Sequence, residues 1–254
     1  MALQFQMRNH QFYSLLLLIC FGLMLSSCTK TQLENTPPTI AMSNYYPLTV
    51  GKWINYRLDS TVYTSLNTIK TVRTYYILDS IEAKITDNNG NDVYRIRRMM
   101  RDNIDTTRWK DNATFLVTPS STSIIFTENN LKFTKLVNPV REFYTWKGNN
   151  AINVWDNFLR FYENWDYTYE NVGLSKTINN VNFPETITVN QIDQTNGDPN
   201  NKNYYYSVTQ SSEIYAKGIG LVYKNFLYEV WQPTAKNYES NCYGIKLTIK
   251  GHNF

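Results

Sequence analysis

Gly244-Ile245-Lys246-Leu247-Thr248-Ile249-Lys250 alternates at every step. Ile245, Leu247 and Ile249 fall on one face, and Lys246, Thr248 and Lys250 on the other. A period of two is the signature of a strand with one buried and one wet face. Upstream, segments 204–210, 213–216 and 219–231 carry the same strand chemistry, rich in Tyr, Val and Ile, with Lys217-Gly218 turning between the last two. From Trp53 onward Ile54, Tyr56 and Leu58 share a face. Further strands are expected at 71–79, 81–86, 93–101, 107–109, 114–118, 123–127, 131–137, 165–171 and 186–192. Asn89-Gly90 closes a hairpin over 81–101, because Asn-Gly takes positive φ at little cost. One short helix is expected at 154–162, where Val154, Phe158, Phe161 and Tyr162 fit a helical face. Short strands at regular spacing with at most one or two short helices predict an all-β, mainly antiparallel fold. A curved sheet, half-barrel or sandwich would satisfy it.

Composition narrows the function classes. The chain has 254 residues, 25 Lys and Arg against 21 Asp and Glu, and a formal charge of +4. There is no dense basic block, so nucleic acid is not indicated. Of three cysteines, Cys20 and Cys28 lie near the start, leaving Cys242 without an intrachain partner and reading as an inert thiol in a turn. Beyond residue 27 the one histidine is His252, so a Cys/His zinc site is excluded and a His-based triad would rest on the last few residues. No phosphate loop, nucleophile elbow or zinc-protease motif is present, and no cofactor is implied.

The start of the chain carries an address. Residues 15–25 form an apolar run of eleven after a single charge, Arg8. As a helix it would rise about 16 Å, roughly half a bilayer core, which suits a signal peptide and not a span. It ends Leu25-Ser26-Ser27-Cys28, which resembles the lipobox of bacterial lipoproteins. That resemblance implies cleavage before Cys28, lipid on its thiol, and residues 1–27 as signal peptide. Thr29 after the cysteine implies the outer membrane, on its periplasmic face or at the cell surface. Met7-Arg8-Asn9-His10 makes the more ordinary opening, so Met7 is the expected true start. Residues 28–43, polar and interrupted by Pro37-Pro38, read as a tether, and 44–254 as one β-rich domain.

Three further stretches resemble lipoproteins of the Bacteroidota type, a group with no established activity to carry over. They are Tyr46-Pro47-Leu48-Thr49-Val50-Gly51-Lys52-Trp53, then Tyr215-Ala216-Lys217-Gly218-Ile219-Gly220-Leu221-Val222, and the closing Gly244 to Asn253. The resemblance covers about a fifth of the chain beyond Cys28 and implies location and fold.

Candidate binding residues lie in an aromatic cluster over 143–169. Trp146, Trp155, Trp165, Tyr167 and Tyr169 are the expected ligand wall, for a lipid or other apolar guest or a glycan; core packing is the competing role. Arg95, Arg97, Arg98 and Arg101 form a basic group, either a solvated strand face or a contact for anionic partners. Asp87, Asn89, Asn91 and Asp92 have alternating oxygen ligands, but the glycine falls too early for an EF-hand loop, which favours a plain turn. No metal site and no catalytic residue is assigned. The expected function is a membrane-anchored envelope lipoprotein acting as a non-enzymatic binding or scaffold domain. The alternatives are a carboxylate enzyme on glycans, using two of Asp156, Glu163 and Asp166 across a cleft, or a subunit of an envelope assembly.

Overall fold

The structure, a computed structural model, describes residues 40–102 and 108–254. Lipobox residues Leu25, Ser26 and Ser27, and Cys28, lie outside these residues. So does Thr107, at the start of the strand expected at 107–109; Arg108 and Trp109, which follow it, are not in a strand. Ile40 bridges to Val140 and Met42 is buried, so residues 40 and 42, within the expected tether, pack against the barrel. Among the described residues no helix is long and apolar enough to cross a membrane.

The strands are β1 (Trp53–Thr64), β2 (Ile69–Thr86), β3 (Asp92–Arg101), β4 (Lys110–Pro119), β5 (Ser123–Glu128), β6 (Leu131–Val137), β7 (Thr145–Trp146), β8 (Tyr167–Ile178), β9 (Val181–Asn196), β10 (Tyr206–Ala216), β11 (Gly220–Gln232), β12 (Asn237–Tyr238) and β13 (Tyr243–His252). They form one antiparallel sheet in the order β6-β5-β4-β3-β2-β1-β13-β11-β10-β9-β8-β7, with β12 on β11. Two meanders are thus joined where β1 pairs β13, Ile54 opposite His252 and Thr61 opposite Gly244. The expected strands at 71–79 and 81–86 are one strand, since β2 runs on through a bulge between Ile81 and Ala83. Segments 204–210 and 213–216 likewise join as β10, with a bulge at Ser211/Ser212. Bulges let a long strand bend, which a curling sheet needs.

Local sequence explains the turns. Asn129-Asn130 and Asn179-Asn180 all have φ between 50° and 64°, the geometry of two-residue hairpins whose twist matches the strands they join. Asp87 accepts from the backbone of Asn89 and Asn91 and from the Asn91 side chain, so this loop is a hairpin turn held by its own carboxylate. The helix expected at 154–162 is absent apart from a 3-10 turn at Arg160–Tyr162. Asn153 and Asp156 side chains capture the N–H groups of Trp155 and Phe158, two residues on, and such local bonds compete with helix.

The sheet curls until its ends nearly meet. Along the seam Thr134 N donates to Gly148 O at 2.8 Å, and Trp146 Nε1 to Thr134 O at 2.7 Å. The Tyr169 hydroxyl both accepts from Val137 N and donates to Val137 O, each at 2.8 Å. Gly148 is required here, because a Cβ would lie 2.4 Å from the Tyr167 ring. The result is a nearly closed barrel with two ends. Turns 129–130, 147–166, 197–205 and 233–242 gather at one end, the rim. Turns 87–91, 120–122, 179–180 and 217–219 gather at the other, the base, with Ile40 and the C-terminus. The largest core cluster is aromatic, with Tyr45, Tyr167, Tyr169 and Tyr215 at most 1% exposed.

Candidate functional site

Inside the barrel two cavities meet at a ring of charged side chains. A small one, about 90 Å³, lies toward the base and is lined by Tyr46, Trp53, Asp79, Arg98, Leu221 and Phe254, among others. A larger one, about 600 Å³, opens at the rim, walled by Phe133, Phe161, Tyr162, Trp165, Phe226 and Tyr243. Lys135, Lys224, Glu128 and Ile245 line both. A volume of 600 Å³ is in the range of small-molecule sites, and this one sets an aromatic wall against polar and charged side chains, among them Glu128, Lys135, Lys224, Gln191 and Ser211.

The polar centre is built by strand alternation. On β10, Ser211, Glu213 and Tyr215 share the inward parity; on β6, Phe133 and Lys135 do, and on β11 Lys224 and Phe226. Glu213 is 1% exposed and takes four neighbours. Lys135 Nζ donates to its Oε1 at 2.6 Å, Gln191 Nε2 and the Tyr215 hydroxyl donate to its Oε2 at 2.9 and 2.7 Å, and Lys224 Nζ stands 3.7 Å from Oε1. Ser211 in turn donates to Gln191 Oε1. Burial works against the Glu213 charge, but Lys135 and Lys224 outweigh it and hold the carboxyl down at about 2. Burial pulls Lys135 downward, with Glu213 opposing it. The geometry supports a charged pair, since a 2.6 Å contact with two further donors on the carboxylate suits the ionised form. Toward the base Arg98 makes a bidentate pair with Asp79, both bonds 2.6 Å, and lies 4.6 Å from the Phe115 ring.

The expected ligand wall divides. Trp165 and Tyr167 line the large cavity. Trp146 and Tyr169 pack in the seam, rings 4.6 Å apart. Trp155 is 93% exposed and does not line the cavity. Of the carboxylates proposed for the enzyme alternative, Asp156 stands at the cavity mouth, Asp166 pairs with Lys147 at 2.7 Å, and Glu163 is exposed. The three do not line a common cavity, and none is poorly hydrated. In the basic group, Arg95 and Arg97 face outward, paired with Glu82 and Asp111, while Arg98 faces inward and Arg101 stacks on Trp109. Among the described residues no cluster of His, Cys, Asp and Glu could hold a metal ion.

The three stretches that resemble Bacteroidota lipoproteins, far apart in sequence, meet at the base. Asn253 Oδ1 accepts from Trp53 N at 2.7 Å, its Nδ2 donates to Gly51 O, and Gly218 N donates to Asn44 O at 2.7 Å. Tyr46, Trp53, Gly220, Leu221 and Phe254 surround the small cavity there.

No protein-family profile and no curated protein matches the chain. Among solved structures it is similar to a Bacteroides fragilis protein designated as exported, with a YmcC-like fold. The identity is 9%, 82% of this chain and 99% of that one are covered, and the TM-score is 0.38. So loose an overlap lends none of that protein's properties to this one.

Proposed function

We propose that this chain is a lipid-anchored protein of the bacterial cell envelope that holds a small guest with an apolar body in the rim cavity of its barrel. The single observation behind the binding role is the cavity of about 600 Å³, walled by aromatic rings and reaching a polar centre. A concave wall of this kind favours a guest that is enclosed over a glycan strip stacked on a flat face. Support for the anchor is the run of residues 15–25 ending in Leu25-Ser26-Ser27-Cys28. Catalysis is not part of the proposal, since no pair of carboxylates named from the sequence converges in a groove.

Native and denatured mass spectra of the chain from Cys28, carrying Cys28→Ser and produced in a bacterial periplasm, test the binding role. Extra mass that departs on denaturation is expected. A bare mass together with no uptake of apolar probes would refute it. In cells, labelled fatty acid should enter the full chain and not its Cys28→Ser variant. A subunit role in an envelope assembly draws separate support from Leu66, in the turn between β1 and β2, and Trp155, between β7 and β8, each more than 90% exposed. Self-association, or co-purification of a stoichiometric partner that Trp155→Ser abolishes, would favour that reading.

A further inference from the structure

We infer that the rim cavity selects guests carrying an oxyanion head, a carboxylate or a phosphate, and that Lys224 is the residue that reads it. The inference rests on the binding role proposed above and adds the chemistry of the guest's polar end. Lys224 lines the floor of the large cavity with its side chain 19% exposed. Its ion-pair contact is with Glu213, at 3.7 Å, too long for a hydrogen bond. Glu213 has little left to offer it, since Lys135 occupies Oε1 and Gln191 with Tyr215 occupies Oε2. Among the described residues the Lys224 ammonium therefore has no acceptor at hydrogen-bond distance. An ammonium that faces the cavity with no protein acceptor in reach can donate to an incoming group with several acceptor oxygens, and such charge-assisted bonds are the strong ones.

Net charge does not draw an anion in by itself. Lys135 and Glu213 cancel, Glu128 on the same lining balances Lys224, and Asp156 stands exposed at the mouth, so the selection rests on direct contact with the Lys224 ammonium. The head must therefore sit deep, against Lys224, with its body along Phe161, Tyr162, Trp165 and Tyr243. Gln191 and Ser211 complete the polar floor beside it.

The test uses the chain from Cys28 with Cys28→Ser, so that no lipid of its own competes. Trp165 lines the cavity and reports binding by fluorescence quenching. The probes are a brominated medium-chain fatty acid, the alcohol of the same chain and the alkyl phosphate of the same chain. The charged probes should bind about tenfold more tightly than the alcohol, the size of one hydrogen bond to a charged group. Lys224→Met should abolish that difference, and Glu128→Gln should strengthen both charged probes. A preference for phosphate would mark a phospholipid-type head and a preference for carboxylate a free fatty acid; either supports the inference. Equal binding of acid and alcohol would overturn it while leaving the cavity as a binding site. Failure of all three probes would overturn the binding role itself. Should Lys224→Met not fold, Glu128→Gln carries the test, and no gain for the charged probes then overturns the inference.

Discussion

Replacing Lys135 by Met should destabilise the protein by about 3–5 kcal/mol, the cost of leaving a buried charge without its partner. Glu213 would then keep its carboxylate among Gln191, Tyr215 and a Lys224 ammonium 3.7 Å away. The acid side of the pair sets a second expectation. Glu213 sits at about 2 when folded, against 4.5 for an ordinary glutamate. Its folded value is depressed, so its contribution is fully present above pH 4.5 and is lost as pH falls towards 2. At about 1.4 kcal/mol per unit, the gap corresponds to about 3 kcal/mol. Glu213→Gln should remove this acid sensitivity and install another. Lys135 would be buried without a carboxylate and would shed its proton early. The folded state then binds fewer protons than the unfolded one, so stability should rise as pH approaches the ordinary lysine value of 10.5. Urea unfolding of the wild-type chain, both single variants and the double variant Lys135→Met/Glu213→Gln, at several pH values, measures all of this. The double variant should recover much of the loss, because neither charge remains. A cost under about 1 kcal/mol for Lys135→Met, with an unchanged acid limb for Glu213→Gln, would refute the claim that this pair is buried and mutually dependent.

Three other outcomes are expected. Tyr169→Phe removes the hydroxyl that serves both Val137 N and Val137 O, and should cost about 1–3 kcal/mol with faster amide exchange at Val137; protection equal to wild type would contradict the seam. Arg98→Lys should weaken the protein nearly as much as Arg98→Ala, since a point charge cannot reproduce the two bonds to Asp79; full rescue by lysine would show that geometry is irrelevant there. Burial pushes the Cys242 thiol up to about 11, so in the Cys28→Ser chain it should resist thiol reagents at pH 8 until urea unfolds the barrel; prompt labelling of the native protein would contradict its burial.

Much of the fold was legible because alternation and turn residues act locally. The expected strands at 123–127 and 131–137 match β5 and β6 to within a residue, and Lys217-Gly218 does turn β10 into β11. What alternation does not carry is a bulge. Ile81/Ala83 and Ser211/Ser212 each broke one long strand into two expected ones, because the extra residue shifts the phase. The helical face at 154–162 was a coincidence of aromatic spacing, overridden by the side chains of Asn153 and Asp156. The aromatic stretch yielded Trp165 and Tyr167 as cavity residues, whereas Trp155 gave no local sign of facing water. The charged centre lies outside the expected features, although the sequence carries a signal for it. Lys135 shares strand parity with Phe133, Lys224 with Phe226, and Glu213 with Tyr215. A charge on the apolar phase of a strand is either a misplaced strand or a buried pair, and here three strands bring the partners together.

The sheet order also has a consequence for how the chain assembles. Strands β1 to β6 pair each with the next in sequence, and β7 to β11 do the same, so both halves can form from nearby partners. The β1–β13 junction, by contrast, joins segments far apart in sequence, Ile54 with His252 and Thr61 with Gly244. During synthesis the first half is complete by Val137, yet the outer edge of β1 has no mate until Tyr243 and the residues after it are made. For more than a hundred residues of elongation the nascent chain carries the bare edge of β1, the situation in which β proteins stick to one another. Strand β13 is thus the closing stitch, and deleting it should show first as aggregation during synthesis.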